Sequence, residues 1–440
     1  MNVRGFERPI TRGPGGRILT HTRVWSPDGQ WLVYDTRSDP AGDVFDGLTI
    51  EMVHVETGEV RELFRARNGA HCGVATFHPF ADRVVFLEGP EHPTADWSYG
   101  PAHRQGRIVE LSQTGRALPL DARDLGPPFT PGALRGGTHL HVWDGQGEWI
   151  SFTYEDHPCS RFPNPTPEQD VNQRNVGVSV PVPDGVRVPR THPRNHDGTH
   201  FSVLVTRTTG LPRPGSDDIV RACEEGWVGV RGYVRPDGSR QRRALAFQGT
   251  VLTAGGRRVS EVFIVDLPED VTRPGTGPLA GTERRLPRPP EGTVQRRLTF
   301  TTERRYPGLQ GPRHWLESSP DGCQIAFLMK DDAGVVQLWT VSPWGGPPRQ
   351  VTHNPWPIAS ALSWHPTGSW VAHVMDGSVC VTNVATGRTC RLTGRRDGPA
   401  APRPEACVFS PDGRRIAFVR PERISDRWYN QICVVEWEVA

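Results

Sequence analysis

The histidines that open strands are the first residues in this chain whose type and spacing could do chemistry. The stretch RGGTHLHVWDGQGEWISFT, Arg135 to Thr153, carries His139 and His141 two residues apart, and NHDGTHFSVLV, Asn195 to Val205, repeats the Gly-Thr-His approach at His200. GAHCGV places His71 behind another glycine, and PRHW places His314 directly after Arg313. Neutral imidazole is the commonest metal ligand among side chains, and several histidines joined by a carboxylate suit a divalent transition metal (Mn, Zn, Fe or Ni) better than Ca or Mg. Such a set forms only where strands distant in sequence converge, so the architecture decides whether the chemistry is available.

That architecture is written as a repeat. WSPDGQWLVYD (25–35), SSPDGCQIAFL (318–328), WHPTGSWVAHV (364–374) and FSPDGRRIAFV (409–419) are clear copies, and FHPFADRVVFL (77–87) and WDGQGEWISFT (143–153) are degenerate ones. Each reads as a strand ending at its first residue, usually an aromatic, then a turn in which glycine accepts positive φ, and a second alternating strand. Third and fourth strands follow, as in LTIEMVHVETGEVRELF (48–64) and GSVCVTNVATGRTCRLT (377–393). Four antiparallel strands every ~45 residues is the arithmetic of a β-propeller blade.

The expected fold is therefore all-β, one domain over residues 1–440, with seven blades near 17–67, 68–134, 135–191, 192–303, 304–354, 355–394 and 395–440. FSVLVTR is read as the first strand of the fourth blade, followed by ALAFQGTVL, SEVFIVDL and VQRRLTF. The last blade stops after its third strand, NQICVVEWEVA, and the opening segment ERPITR resembles the fourth strands RRLTF and RQVTH. Residues 6–12 are thus expected to complete that blade and close the ring.

Composition narrows the function classes. Lys+Arg 51 against Asp+Glu 49 gives a net charge of +2, mixed along the chain, so no electrostatic footprint for nucleic acid is present. No apolar run is long enough to span a bilayer and MNVRGFERPITRG lacks the apolar core of a signal peptide, which predicts no membrane association and a cytoplasmic protein. Eight cysteines without a CxxC pair, most of them within predicted strands such as those holding Cys323, Cys380, Cys390, Cys407 and Cys433, predict buried, reduced thiols. Neither a P-loop nor a GxSxG elbow occurs.

The repeated SPDG…IAF units resemble the TolB-like propeller group. EEGWVG (224–229), VQRRLTFT (294–301), YPGL (306–309) and PRHW (312–315), with GAHCGV (69–74) and GGTHLHV, resemble the YidR-like bacterial proteins, a family of unknown function, over essentially the whole length. A weaker similarity, in the repeat and the central histidines only, links the chain to oligogalacturonate lyases. That resemblance implies a seven-bladed propeller whose histidines, drawn from several blades, hold a divalent metal at the centre of one face.

Aligning the units on Trp25, Phe77, Trp143, Leu204, Ser318, Trp364 and Phe409 brings His21, Gly73, His139, His200, His314, Ser360 and Glu405 to one level at the upper mouth of the central channel. His71 lies two residues before that level and His141 two after, on the same side as His139 if side chains alternate with period two. The expected metal ligands are His71, His139, His200, His314 and Glu405, with His141, Arg135 and Arg313 as catalytic candidates. The loops 88–106, 155–173 and 208–241 would wall a pocket over the channel, the first carrying His92, Trp97, Tyr99 and His103 for a sugar ring. DDIVRACEEGW in the third predicts a short helix capped by Ser216 or Asp217.

The arginines favour an acidic ligand such as a uronate, because a guanidinium fork matches a carboxylate. Two functions follow: a metal-dependent, lyase-like enzyme acting on an acidic oligosaccharide, or a non-catalytic scaffold that binds a protein or peptide on the same face.

Overall fold

The structure is a computed structural model that describes residues 5–312, 315–405 and 407–438. Seven four-stranded antiparallel sheets follow one another along the chain. The first is Gly16–Ile18, Trp31–Arg37, Thr49–His54 and Val60–Arg65, and the second is Cys72–Phe77, Arg83–Glu88, Gln105–Glu110 and Ala117–Pro119. Apolar clusters join every neighbouring pair of sheets. One holds Val33 and Ile50 against Phe77 and Phe86, and the ring closes where Leu32 and Val53 of the first blade meet Val408 and Val434 of the last.

Closure uses the N-terminus. Phe6–Pro9 pairs antiparallel with Arg427–Glu436, with Phe6 opposite Glu436 and Pro9 opposite Cys433. The pairing is shorter than the expected 6–12, but Ile10 and Thr11 continue it by donating their amides to the Ile432 carbonyl. Glu7 forms an ion pair with Arg420 across the sheet.

The repeat's turn aromatic has a structural task. The indole N–H of Trp25 donates to the Val408 carbonyl at 3.0 Å, that of Trp227 to Val142 at 2.9 Å, and that of Trp364 to Glu317 at 3.1 Å. Each bond reaches the inner strand of the preceding blade, so the aromatic that ends an inner strand also pins neighbouring blades. Burying a ring while pairing its polar edge is the arrangement tryptophan suits.

The third and fourth blades differ from expectation. Gly198–Leu204 pairs with Asn175–Val186 and is the outermost strand of the third sheet, not the innermost of the fourth. The fourth sheet begins at Ile219–Trp227, so the expected short helix over this segment is a strand. Its pattern is disguised by a bulge between Cys223 and Gly226, where Glu224 takes a φ of +56°. The same irregularity recurs at Val74 (φ +59°) in the second blade and Leu140 (φ +50°) in the third. Among the described residues no helix is long and apolar enough to cross a membrane.

Candidate functional site

The central channel carries two cavities. The upper one, about 360 Å³, is lined by His21, Asp35, Arg37, Phe45, Tyr99, Arg104, His139, Trp315 and Glu405, among others. Inner strands supply His139, and loops from second to third strands supply Phe45, Tyr99 and Arg104. His21, His139 and Glu405, expected at one level, do share this wall.

Two arginines dominate its chemistry. Asp35 accepts from Arg37 Nε at 2.6 Å with one oxygen, and from the Val74 amide at 3.1 Å with the other. That amide is turned toward Asp35 by the bulge at Val74, and the anchored Arg37 guanidinium lies 4.5 Å from the centre of the Phe45 ring. Phe45 in turn stacks on Tyr99 at 5.1 Å. Arg104 is buried, its Nε has no hydrogen-bond partner, and burial holds its pKa below the ordinary guanidinium value. Burial pushes the Tyr99 hydroxyl up, and the neighbouring Arg104 charge opposes that shift, although neither Tyr99 Oη nor Arg104 Nε makes a hydrogen bond of good geometry. His21 stacks on Trp315 with ring centroids 4.0 Å apart, and its Nε2 lies 3.3 Å from Glu317 Oε1.

Other expected site residues lie elsewhere. His71 sits behind the cavity wall with its ring edge-on to Tyr99 at 6.1 Å. His200, on an outer strand, packs near Trp143 and shares a hydrogen bond with Thr199 at 2.9 Å. His141 does not share the side of His139: the bulge between His139 and Val142 breaks the alternation and turns its ring between blades two and three. There it is completely buried, 3.9 Å from Asp121, with its pKa lowered to about 3 by burial and by the charges of Arg104 and His200. Arg135 does not line the cavity either. It is sealed from solvent, bonded to Asp156 Oδ2 at 2.8 Å and to the carbonyls of Thr282 and Arg285. Arg313 and His314 lie outside the described residues.

In loop 88–106, Trp97 is buried under His103, stacked at 3.9 Å, so it offers no platform to a sugar; Tyr99 alone of the four aromatic and histidine candidates reaches the cavity. All eight cysteines are unpaired, but Cys323 is exposed in its turn and Cys390 only half-buried, because turn and outer-strand positions escape the inter-blade core. Among the described residues no group of three or more His, Cys, Asp or Glu is disposed to hold a metal ion. Of the expected ligands, His139 and Glu405 share the upper cavity, whereas His71 and His200 do not line it.

The charged residues of this cavity that the sequence did not single out are Asp35, Arg37 and Arg104. Arg104 follows His103 in a loop without period, and Asp35 and Arg37 end a strand whose pattern advertises only burial.

Comparison with known proteins agrees with this geometry at the level of fold and family. Residues 71–196, which include His71, Tyr99, Arg104 and His139, match the family described as protein of unknown function DUF3748. Solved structures with the same architecture include an oligogalacturonate lyase in complex with manganese, with a TM-score of 0.58 and 11% identity over 100% of this chain and 97% of that one. A second oligogalacturonate lyase, from Vibrio parahaemolyticus, gives a TM-score of 0.55 and 10% identity over 99% of this chain and 97% of that one. The uncharacterized protein YidR of Escherichia coli K12 is 48% identical over 416 residues, 94% of either chain. At that identity and coverage the chain belongs to the YidR family of seven-bladed β-propellers.

Proposed function

We propose that the upper mouth of the channel binds an acidic saccharide and that the reaction it serves best is β-elimination next to a uronate carboxylate. The observation that carries this reading is Arg104: a buried cation with an unpartnered Nε, sharing one cavity with Arg37, Tyr99 and His139. A carboxylate satisfies such a group, since charge-assisted, forked contacts are what guanidinium offers. The likeness to oligogalacturonate lyases supports the choice of architecture, and the chain's own arginines support the choice of ligand.

In this reading Arg104 and Arg37 neutralise the substrate carboxylate, which acidifies the adjacent C–H. The His139 imidazole takes that proton, the bond from the neighbouring carbon to the glycosidic oxygen breaks, and Tyr99 delivers its hydroxyl proton to the departing oxygen. Burial keeps Tyr99 protonated until that moment. Each of these steps is assigned to side chains that line the upper cavity. The eight unpaired cysteines favour action in a reducing compartment, the cytoplasm.

The test is appearance of the unsaturated uronate chromophore when purified protein meets oligogalacturonates, with Mn supplied and with chelator. Product formed by the wild type and lost in Arg104→Gln supports the reading. Oligosaccharide bound without any product leaves the site and removes the elimination.

A further inference from the structure

The lower channel holds a second chamber, about 410 Å³, that the reading above does not use. Its walls are the turn aromatics Trp25, Phe77, Trp143, Trp227, Trp364 and Phe409, and its rim is made by prolines of the repeat's turns. Phe80 and Val230 stand at the same rim with relative exposures of 68% and 44%, an unusual display of apolar surface at a cavity mouth. Chambers of a few hundred Å³ with apolar walls and few charged groups are the ordinary form of a small-molecule site.

The informative charge is Arg23. It lines this chamber and not the upper one, and among the described residues no hydrogen bond or ion pair reaches its guanidinium. The two carboxylates whose fields it feels are engaged elsewhere: Glu317 holds His21 at 3.3 Å, and Asp144 holds Arg243 at 2.9 Å. Its backbone has a φ of +54°, a conformation that costs a non-glycine residue energy and that clusters at functional positions. A half-buried cation at an apolar chamber, with no carboxylate paired to it among the described residues, can take an anion. Glu225 and Glu317 also line the chamber, so a ligand bearing several negative charges would be repelled, whereas a single carboxylate at one end of an apolar body meets both features.

We propose that the lower chamber binds an apolar monocarboxylate, its carboxylate on Arg23 and its aryl or alkyl body against the turn aromatics. This site is independent of the saccharide reading and enters from the opposite face. The test titrates full-length protein with 4-phenylbutyrate, 4-phenylbutyramide and 4-phenylbutanol, read by calorimetry and by fluorescence of the wall tryptophans. The acid should bind at least about tenfold more tightly than the amide or alcohol, and Arg23→Gln should erase that preference while Arg104→Gln preserves it. Equal binding of the three compounds by the wild type, or no binding of the acid, overturns the proposal whether or not the Arg23 variant folds. Loss of the acid in Arg104→Gln instead of Arg23→Gln overturns it too, because the acid would then occupy the upper mouth.

Discussion

Arg135 Nε lies 2.8 Å from Asp156 Oδ2, and both side chains are shut away from solvent. The guanidinium also donates to the carbonyls of Thr282 and Arg285, so one side chain ties the third blade to the loop that precedes the last strand of the fourth. Removing one member of a buried pair strands the other charge, which costs about 3–5 kcal/mol. Arg135→Met should therefore lose stability of that order in urea denaturation, while the folded fraction binds ligand at the upper mouth as the wild type does. A variant as stable as the wild type but unable to bind would return Arg135 to the site.

Deleting residues 1–12 tests the ring closure. The deletion removes the outermost strand of the last blade, the buried Ile10 and the Glu7 partner of Arg420, and it leaves Arg427–Glu436 as a bare edge. Loss of several kcal/mol should lower the melting temperature by about 5–10 °C and promote aggregation. A melting curve unchanged within a degree would mean that the N-terminal strand does not hold the ring.

Acid should destabilise the fold through its neutral histidines. Burial lowers the pKa of His141 and His196 to about 3 and of His157, His200 and His373 to about 4. The unfolded imidazoles take a proton near 6.5, so from that pH down to the folded values the unfolded chain binds more protons and stability falls with pH. Each fully buried group contributes about 1.4 kcal/mol per pH unit in that window, and the half-buried His157 and His196 contribute less. Asp121 acts in the opposite sense: burial raises it to about 6, so the folded state gains a proton that offsets part of the loss. His373 bonds Thr382 at 2.8 Å through Nε2, a bond glutamine can keep. His373→Gln should flatten the stability profile between pH 6 and pH 5 by about 1.4 kcal/mol per unit, and an unchanged slope would contradict the buried, neutral imidazole.

What the sequence disclosed, and what it hid, follows from regularity. The SPDG turns and the alternating strands after them repeat, so the seven-bladed architecture and its closure by ERPITR could be read directly. The failures sit at the bulges. At Leu140 and Glu224 one extra residue with positive φ reverses the side-chain alternation, which sends His141 between blades and makes the strand through ACEEGW look helical. His200 misled for a different reason. Its Gly-Thr-His approach copies that of His139, but the two strands lie at opposite edges of the same sheet, and spacing along the chain carries no mark of which edge a strand takes. Arg104 went unseen because loop residues carry no period at all.

The claim that the upper mouth is an acidic-saccharide site is tested most directly by calorimetric titration of trigalacturonate into the wild type and Arg104→Gln. Saturable binding by the wild type, weakened by about tenfold or more in the variant while a neutral trisaccharide binds neither, is the expected result. Wild-type protein that takes up no trigalacturonate with or without Mn, or a variant that binds it as tightly as the wild type, would contradict the claim and favour a scaffold that presents this face to a protein or peptide.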